Sequence, residues 1–366
     1  MKILVVHASA GGGHKVCAEA LSDAAGKFVS RGDRLVFADV IDYTTPFFHF
    51  CYHKGYNWLV HYLPWFWQVA FYLTDHIRGH SFTASLADVF NRLHTKRFNQ
   101  FLIAEQFDII ISTHFLPSGL AVSLKKTRQI KSKIVTVITD FGVHDFWIAE
   151  GTDVYAVASS FTKELLIAKG VPAESIIEPG IPIGAKFNPS FDRKALALRF
   201  GIDPEKFTAL VITGSFGSGP IEEIVESLRE KVQLLVVCAR NKRLFNCLSS
   251  RGYLGVKIFG FIHNVEELMA VSDMIITKPG GLSISELLAM ELVPVFIAAI
   301  PGQEQINASI LQHYGVGLIP RDILELKNIV QHYQENPTAL GELKEKVRAI
   351  KRPFAAQEVV RCVMQK

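Results

Sequence analysis

The chain alternates between short, continuously apolar runs and longer stretches with helical spacing. Runs of the first kind in the first half are Lys2–Ala8, Leu35–Val40, Asp108–Ser112, Ile134–Ile138, Asp153–Ala158 and Ile176–Pro179. Their counterparts in the second half are Ala209–Thr213, Leu234–Cys238, Lys257–Phe259, Met274–Thr277 and Val293–Ala299. A strand that is apolar at every position, not every second one, is buried on both faces, as a central strand of a parallel sheet must be. Between the runs lie stretches that read as helices: Lys15–Phe28, with Ala18, Leu21 and Ala25 on one face, then Pro220–Lys231 and Leu282–Met290. This alternation predicts an α/β protein of two doubly wound, Rossmann-like domains, roughly 180 residues each. We place the first domain at residues 1–180, the second at 181–345, and a C-terminal helix, 346–366, returning to the first.

One stretch breaks the pattern. Of the 40 residues from Tyr43 to Phe82, 14 are aromatic, among them Trp58, Trp65 and Trp67, with His49, His53, His61, His76 and His80 interspersed. Pro64 interrupts its most apolar part, which argues against a membrane-spanning helix. Tryptophan and tyrosine favour the boundary between water and lipid, where ring and polar tip are both satisfied. Helices buried against the sheet would have the same composition. Downstream, Lys125, Lys126, Arg128, Lys131 and Lys133 lie between Gly119 and Val135 without an acidic residue. Such a run is either a solvated helix end or an attraction for an anionic membrane surface.

Composition narrows the classes further. With 49% hydrophobic and 20% charged residues, the chain can build two real cores. A net charge of +4 gives no basis for nucleic-acid binding. Five cysteines, with no CxxC pair and no metal spacing, suit a reducing compartment. The N-terminal apolar run is too short for a signal sequence, and no window approaches the ~18–20 apolar residues of a membrane span. These features predict a cytoplasmic protein.

Candidate chemistry gathers where strands end. Met274–Thr277 is followed by Lys278-Pro279-Gly280-Gly281 and a helix, a geometry that offers backbone N–H groups and a helix dipole to a phosphate. Gly280 and Gly281 allow close approach, Ser283 can donate from the first helical turn, and Glu286 can accept from a ribose diol. An ordinary βα turn with a solvated glutamate would read the same way. Gln303 and Glu304, in the Pro-Gly-Gln-Glu-x-x-Asn run that ends at Asn307, could reach a sugar ring. Gly214-Ser215, opening the run to Gly219, forms a second phosphate-facing turn. In the first half, Gly12 and Gly13 precede His14 at a helix start, where the dipole favours the neutral imidazole that a general base needs. Asp140, His114 and His144 also follow strand ends.

Several of these motifs, in this order, resemble one family. Gly260-Phe261-Ile262, the Lys-Pro-Gly-Gly turn, Glu286 and Pro-Gly-Gln-Glu-x-x-Asn resemble the nucleotide-sugar half of GT-B glycosyltransferases. The likeness is to the family holding the peptidoglycan enzyme MurG and the diacylglycerol glycosyltransferases. SxGGGHxxxAxAL, THxxP and TDxxxHxxW in the first half resemble the same family. The resemblance implies a GT-B fold with an interdomain cleft, and a UDP-hexose donor with uracil against the backbone near Phe261 and Ile262. It puts diphosphate on the Gly280–Ser283 turn, ribose on Glu286 and hexose on Gln303 and Glu304. His14 would take the proton of the acceptor hydroxyl with inversion and without a metal, and Asp140 would orient His14 or the acceptor. Many relatives carry an arginine near the diphosphate where this chain has Gly184; Lys186 is the expected substitute. Diacylglycerol is the expected acceptor and a peripheral position on the inner face of the cell membrane the expected location. A polyprenyl-linked acceptor with UDP-GlcNAc, a UDP-sugar 2-epimerase and a catalytically silent sensor are the alternatives.

Overall fold

The computed structural model describes residues 1–9, 12–50, 65, 69, 94–187, 190–300 and 302–364. The chain divides into two compact units. The first holds Met1–Gly184, Ile300–Gln303 and Phe354–Lys366; the second holds Ala185–Ala299 and Glu304–Pro353.

Among the described residues, the first unit holds a parallel sheet of six strands. They are β1 (Lys2–His7), β2 (Arg34–Asp39), β3 (Ile109–Ser112), β4 (Lys133–Val137), β5 (Val154–Ala156) and β6 (Ile176–Ile177), in the order β2-β1-β3-β4-β5-β6. Ile3, Leu4, Val5 and Val6 are fully buried, as the continuous apolar run predicts. The helices are α1 (Gly12–Gly26), α2 (Pro46–Phe50), α3 (Lys96–Glu105), α4 (Phe115–Lys126) and α5 (Ser160–Ala168). Helix α1 starts three residues earlier than the sequence suggests, so Gly12, Gly13 and His14 form its first turn. The free N–H groups of that turn therefore belong to the glycines and the histidine. β6 is shorter than the expected run to Pro179, because proline cannot donate to the ladder.

The second unit is a parallel sheet of five strands, β7 (Thr208–Ile212), β8 (Gln233–Val237), β9 (Val256–Phe259), β10 (Met274–Thr277) and β11 (Val293–Phe296), ordered β11-β10-β7-β8-β9. Its helices are α6 (Arg193–Phe200), α7 (Ile221–Leu228), α8 (Lys242–Ser249), α9 (Val265–Ala270), α10 (Gly281–Ala289), α11 (Gln303–His313), α12 (Ile323–Glu335) and α13 (Pro337–Ile350). Asp192, Asn241 and Asp322 cap α6, α8 and α12 with their side chains. Helix α13 buries Leu340, Leu343 and Val347 within this unit, so the chain leaves it at Pro353 and not at residue 346. The last helix, α14 (Ala355–Met364), lies against α1 in the first unit, with Ala355, Ala356, Val359, Val360 and Val363 buried. Lys133 Nζ closes its end, donating to the Val363 carbonyl at 3.1 Å.

Candidate active site

In an open parallel sheet, ligands bind beyond the carboxyl ends of the strands where the strand order reverses. In the first unit that point lies between β1 and β3. His14 sits there, in the first turn of α1. Its Nδ1 lies 2.8 Å from the Thr113 carbonyl, just past β3, and 3.0 Å from the Thr139 hydroxyl, just past β4. Thr113 Oγ1 donates back to the His14 carbonyl at 2.9 Å. A carbonyl can only accept, so Nδ1 carries the proton and Nε2 presents a lone pair. Burial pushes the imidazole down to about 4, against the Thr113 hydrogen bond and with help from His7. His14 is thus a neutral imidazole of fixed tautomer, with its proton on Nδ1.

The other first-unit histidines do different work. His114 is buried and caps α4, its Nδ1 accepting from the Leu116 N–H at 3.1 Å. His144 caps the short turn Asp145–Trp147 in the same way, accepting from the Phe146 N–H at 3.1 Å. Both neutral rings are therefore Nε2–H tautomers, opposite to His14. The His114 ring meets His14 edge-on, 4.8 Å between centroids. Burial, with His14 and His7 beside it, holds His114 well below the usual imidazole range. Asp140 is buried and accepts from Gln303 Nε2; Thr113 and Thr139 meet the His14 ring. Gln303, expected on the hexose, donates to Asp140; this first residue of α11 belongs to the first unit and the rest of the helix to the second. A side chain at Gly12 would meet nothing within 4 Å, so crowding does not require a glycine there.

In the second unit the strand order reverses between β7 and β10, and the two glycine turns follow these neighbouring strands. Gly280 caps α10, and Gly281 opens it. The turn from Gly214 to Gly219 is pinned from two sides: Asn241 Nδ2 donates to the Gly217 carbonyl at 3.0 Å, and Lys278 Nζ donates to Ser218 Oγ at 2.9 Å. Gly217 has φ +57°, and a Cβ there would stand 2.2 Å from the Cys238 carbonyl oxygen, so only glycine fits. Gly214 and Ser215 are exposed on this turn, and Ser283 lies in the first turn of α10.

Glu286 lies one turn further along α10. Burial pushes its carboxyl up to about 8; Lys186 opposes the rise and Glu266 adds to it. Lys186 is itself engaged, 2.8 Å from Glu266 Oε2 and donating to the His263 carbonyl at 2.9 Å. Part of the charge expected at the diphosphate is thus balanced by Glu266. Phe261 is half exposed beneath the Arg240 guanidinium, 5.5 Å from its ring centroid, with Ile262 beside it. Glu304 Oε1 lies 4.0 Å from where a Cβ at Gly280 would stand. Asn307 is fully buried and donates to the Pro279 carbonyl at 3.1 Å, so it braces the glycine turn from behind and is not a ligand contact.

Trp65 is 64% exposed; Trp58 and Trp67 lie outside the described residues. In the basic run, Lys125 pairs with Asp153 and Lys126 with Glu150 at 2.9 Å, so two of its charges are locally neutralised. Sequence reasoning missed Thr113 and Thr139. Each opens a motif that was recognised for its histidine or aspartate, and only strand pairing shows that both face His14. Among the described residues no group of three metal-ligating side chains converges.

Residues 14–183 match the family profile of monogalactosyldiacylglycerol (MGDG) synthase, and residues 208–358 that of the glycosyltransferase family 28 C-terminal domain. A processive diacylglycerol beta-glucosyltransferase of Bacillus cereus (strain AH187) is 32% identical over 275 residues, 74% of this chain and 70% of that protein. Among solved structures, Acinetobacter baumannii MurG matches with a TM-score of 0.69 at 15% identity, covering 100% of both chains. Anabaena Alr3699/HepE in complex with UDP-glucose matches with a TM-score of 0.56 at 14% identity, over 99% of this chain and 98% of the other. At such identities the structures speak to fold alone, and that fold is GT-B. Taken with the sequence relative and the two profiles that share the chain between them, they make this protein a member of the GT-B glycosyltransferases that include MurG and the diacylglycerol glycosyltransferases.

Proposed function

We propose that the protein transfers a hexose from a UDP-sugar to diacylglycerol, with inversion at the anomeric carbon. The observation that carries this reading is His14, a partly buried neutral imidazole whose Nδ1–H is fixed on the Thr113 carbonyl, leaving Nε2 as a base. The acceptor oxygen attacks the anomeric carbon as the bond from that carbon to the UDP oxygen breaks. His14 Nε2 receives the hydroxyl proton and later gives it to water. A base with a pKa near 4 drives proton transfer weakly, so the proton moves as the new C–O bond forms, when the acceptor oxygen has become acidic. Charge collects on the departing UDP, and the N–H groups in the first turn of α10, with the dipole of that helix and the Gly214–Gly219 turn beside it, are suited to hold it. Glu286 takes the ribose hydroxyls, and the backbone at Phe261 and Ile262 the uracil. No step calls for a metal ion.

The acceptor assignment rests on the name of the B. cereus relative and the description of the first profile, which agree on diacylglycerol and differ on glucose or galactose. A lipid acceptor supports a peripheral position at the inner face of the membrane; no helix among the described residues is long and apolar enough to cross. Exposed Phe47, Phe50 and Trp65 on the first unit support contact with lipid.

The test is an acceptor screen with radiolabelled UDP-glucose and UDP-galactose, resolved by thin-layer chromatography, in the presence of EDTA. Expected is a β-glycoside of diacylglycerol from the α-linked donor, with UDP release that depends on added lipid. An α-linked product would refute single displacement. Consumption of UDP-sugar without lipid would favour an epimerase, and loss of activity on chelation would require a metal.

A further inference from the structure

We propose that Lys278 is the cation that meets the donor diphosphate and steadies UDP as it leaves, an assignment that rests on the UDP-sugar reading above. The last rung of the β7–β10 pair joins Ile212 to Thr277. One residue further along each strand are Thr213 and Lys278, side by side where the strand order reverses. From there the chain turns through Pro279 into the N-terminus of α10, with the Gly280 N–H closing on the Lys278 carbonyl at 3.0 Å. The ammonium thus belongs to the same turn whose amides face a phosphate.

Three features single this lysine out. Its partner among the described residues is the neutral hydroxyl of Ser218, on the other glycine turn, at 2.9 Å. An ammonium has three donors, so this contact holds it between the two turns and leaves charge and hydrogen-bonding capacity for an anion. The neighbouring cations are otherwise engaged, Lys186 with Glu266 and Arg240 over the Phe261 ring. The Thr213 hydroxyl, at the end of the paired strand, is buried and has no hydrogen-bond partner among the described residues. Buried hydroxyls without a partner are uncommon, and an anion seated at this point would satisfy one. As the anomeric bond breaks, negative charge grows on the β-phosphate, and a point charge already in place stabilises it more than it stabilises the intact donor.

The test measures the affinity of the full-length protein for UDP and for uridine by calorimetry, together with turnover. Lys278→Met should weaken UDP binding roughly 10- to 100-fold while changing uridine affinity less than about twofold. Lys278→Arg should recover most of the lost affinity, since the charge returns. Added salt should weaken UDP binding to the wild type more than to the methionine variant. Equal UDP affinity in Lys278→Met and wild type would overturn the assignment. So would a parallel loss of uridine affinity, which would mean that Lys278 builds the turn and does not meet phosphate. A wild-type protein that binds uridine and UDP equally weakly would instead sink the donor reading itself.

Discussion

Replacing Glu286 by glutamine would separate what this carboxyl does for a ligand from what it does to the fold. Burial pushes it from 4.5 up to about 8, with Lys186 pulling the other way. A carboxyl whose folded pKa lies above its unfolded one favours the fold only while protonated. Its contribution is complete below about pH 4.5 and is lost progressively as the pH rises to about 8. Each pH unit in that window corresponds to about 1.4 kcal/mol, and the whole span to about 5 kcal/mol. Glu286 is only partly buried, so solvent screening brings the expected figure nearer 2 kcal/mol. Glutamine keeps the shape and does not titrate. The ligand-free Glu286→Gln protein should therefore melt above the wild type at pH 8, by about 4–8 °C for a unit of this size, and the gap should close toward pH 5. Above about pH 8, where the carboxyl is ionised, UDP should bind the variant roughly 10- to 100-fold more weakly, since the carboxylate that accepts from the ribose is gone; below that pH the difference should shrink. Melting curves from pH 5 to 9, with and without UDP, read both effects on one sample. A glutamine variant that melts at or below the wild type at pH 8, by the same margin as at pH 5, would refute the reasoning: Glu286 would then be a structural contact and not a desolvated ligand group.

Three further perturbations probe the rest of the site. His14→Ala should lower turnover by roughly 10²–10⁴-fold with UDP affinity unchanged; the wild-type kcat/KM should lose its base near pH 4 and not near 6.5, which a pH–rate profile checks. Gly217→Ala places a methyl 2.2 Å from the Cys238 carbonyl oxygen at a positive φ, so it should cost about 3 kcal/mol or more and lower the melting temperature clearly. Thr213→Val removes a buried hydroxyl that has no partner among the described residues, and should leave the ligand-free protein equally stable or up to about 1 kcal/mol more stable by denaturant titration; a loss of more than that would reveal a hydrogen bond to this hydroxyl.

Much of the architecture was legible in one dimension. Runs such as Leu4-Val5-Val6 and Met274–Thr277 are apolar at every position, and burial on both faces of a parallel sheet is what such runs require. The glycine turns could be read for the same reason: close approach and free amides are local properties of the residues that form them. The division of labour among the histidines was not legible. His14, His114 and His144 all follow strand ends, yet one holds its Nδ1–H on a carbonyl and two cap helical turns through Nδ1. The difference lies in hydrogen bonds to Thr113, 99 residues from His14, and to Thr139, 125 residues away. Those separations close only because β1, β3 and β4 pair in parallel register, which no periodicity along the chain encodes. The lysines follow the same logic. Lys186 looked free until Glu266 was brought to it, and Lys278 looked like part of a turn until Ser218 drew it to the junction of two strands. Asn307 reads as a ligand contact in its motif, but folding buries it behind Pro279. Sequence alone determined that these strands form and that glycine turns follow them, because both depend on neighbours a few residues away. Tertiary structure decided which charges are already neutralised and which proton each imidazole carries, because those depend on groups that only the closed sheets bring within 3 Å of one another.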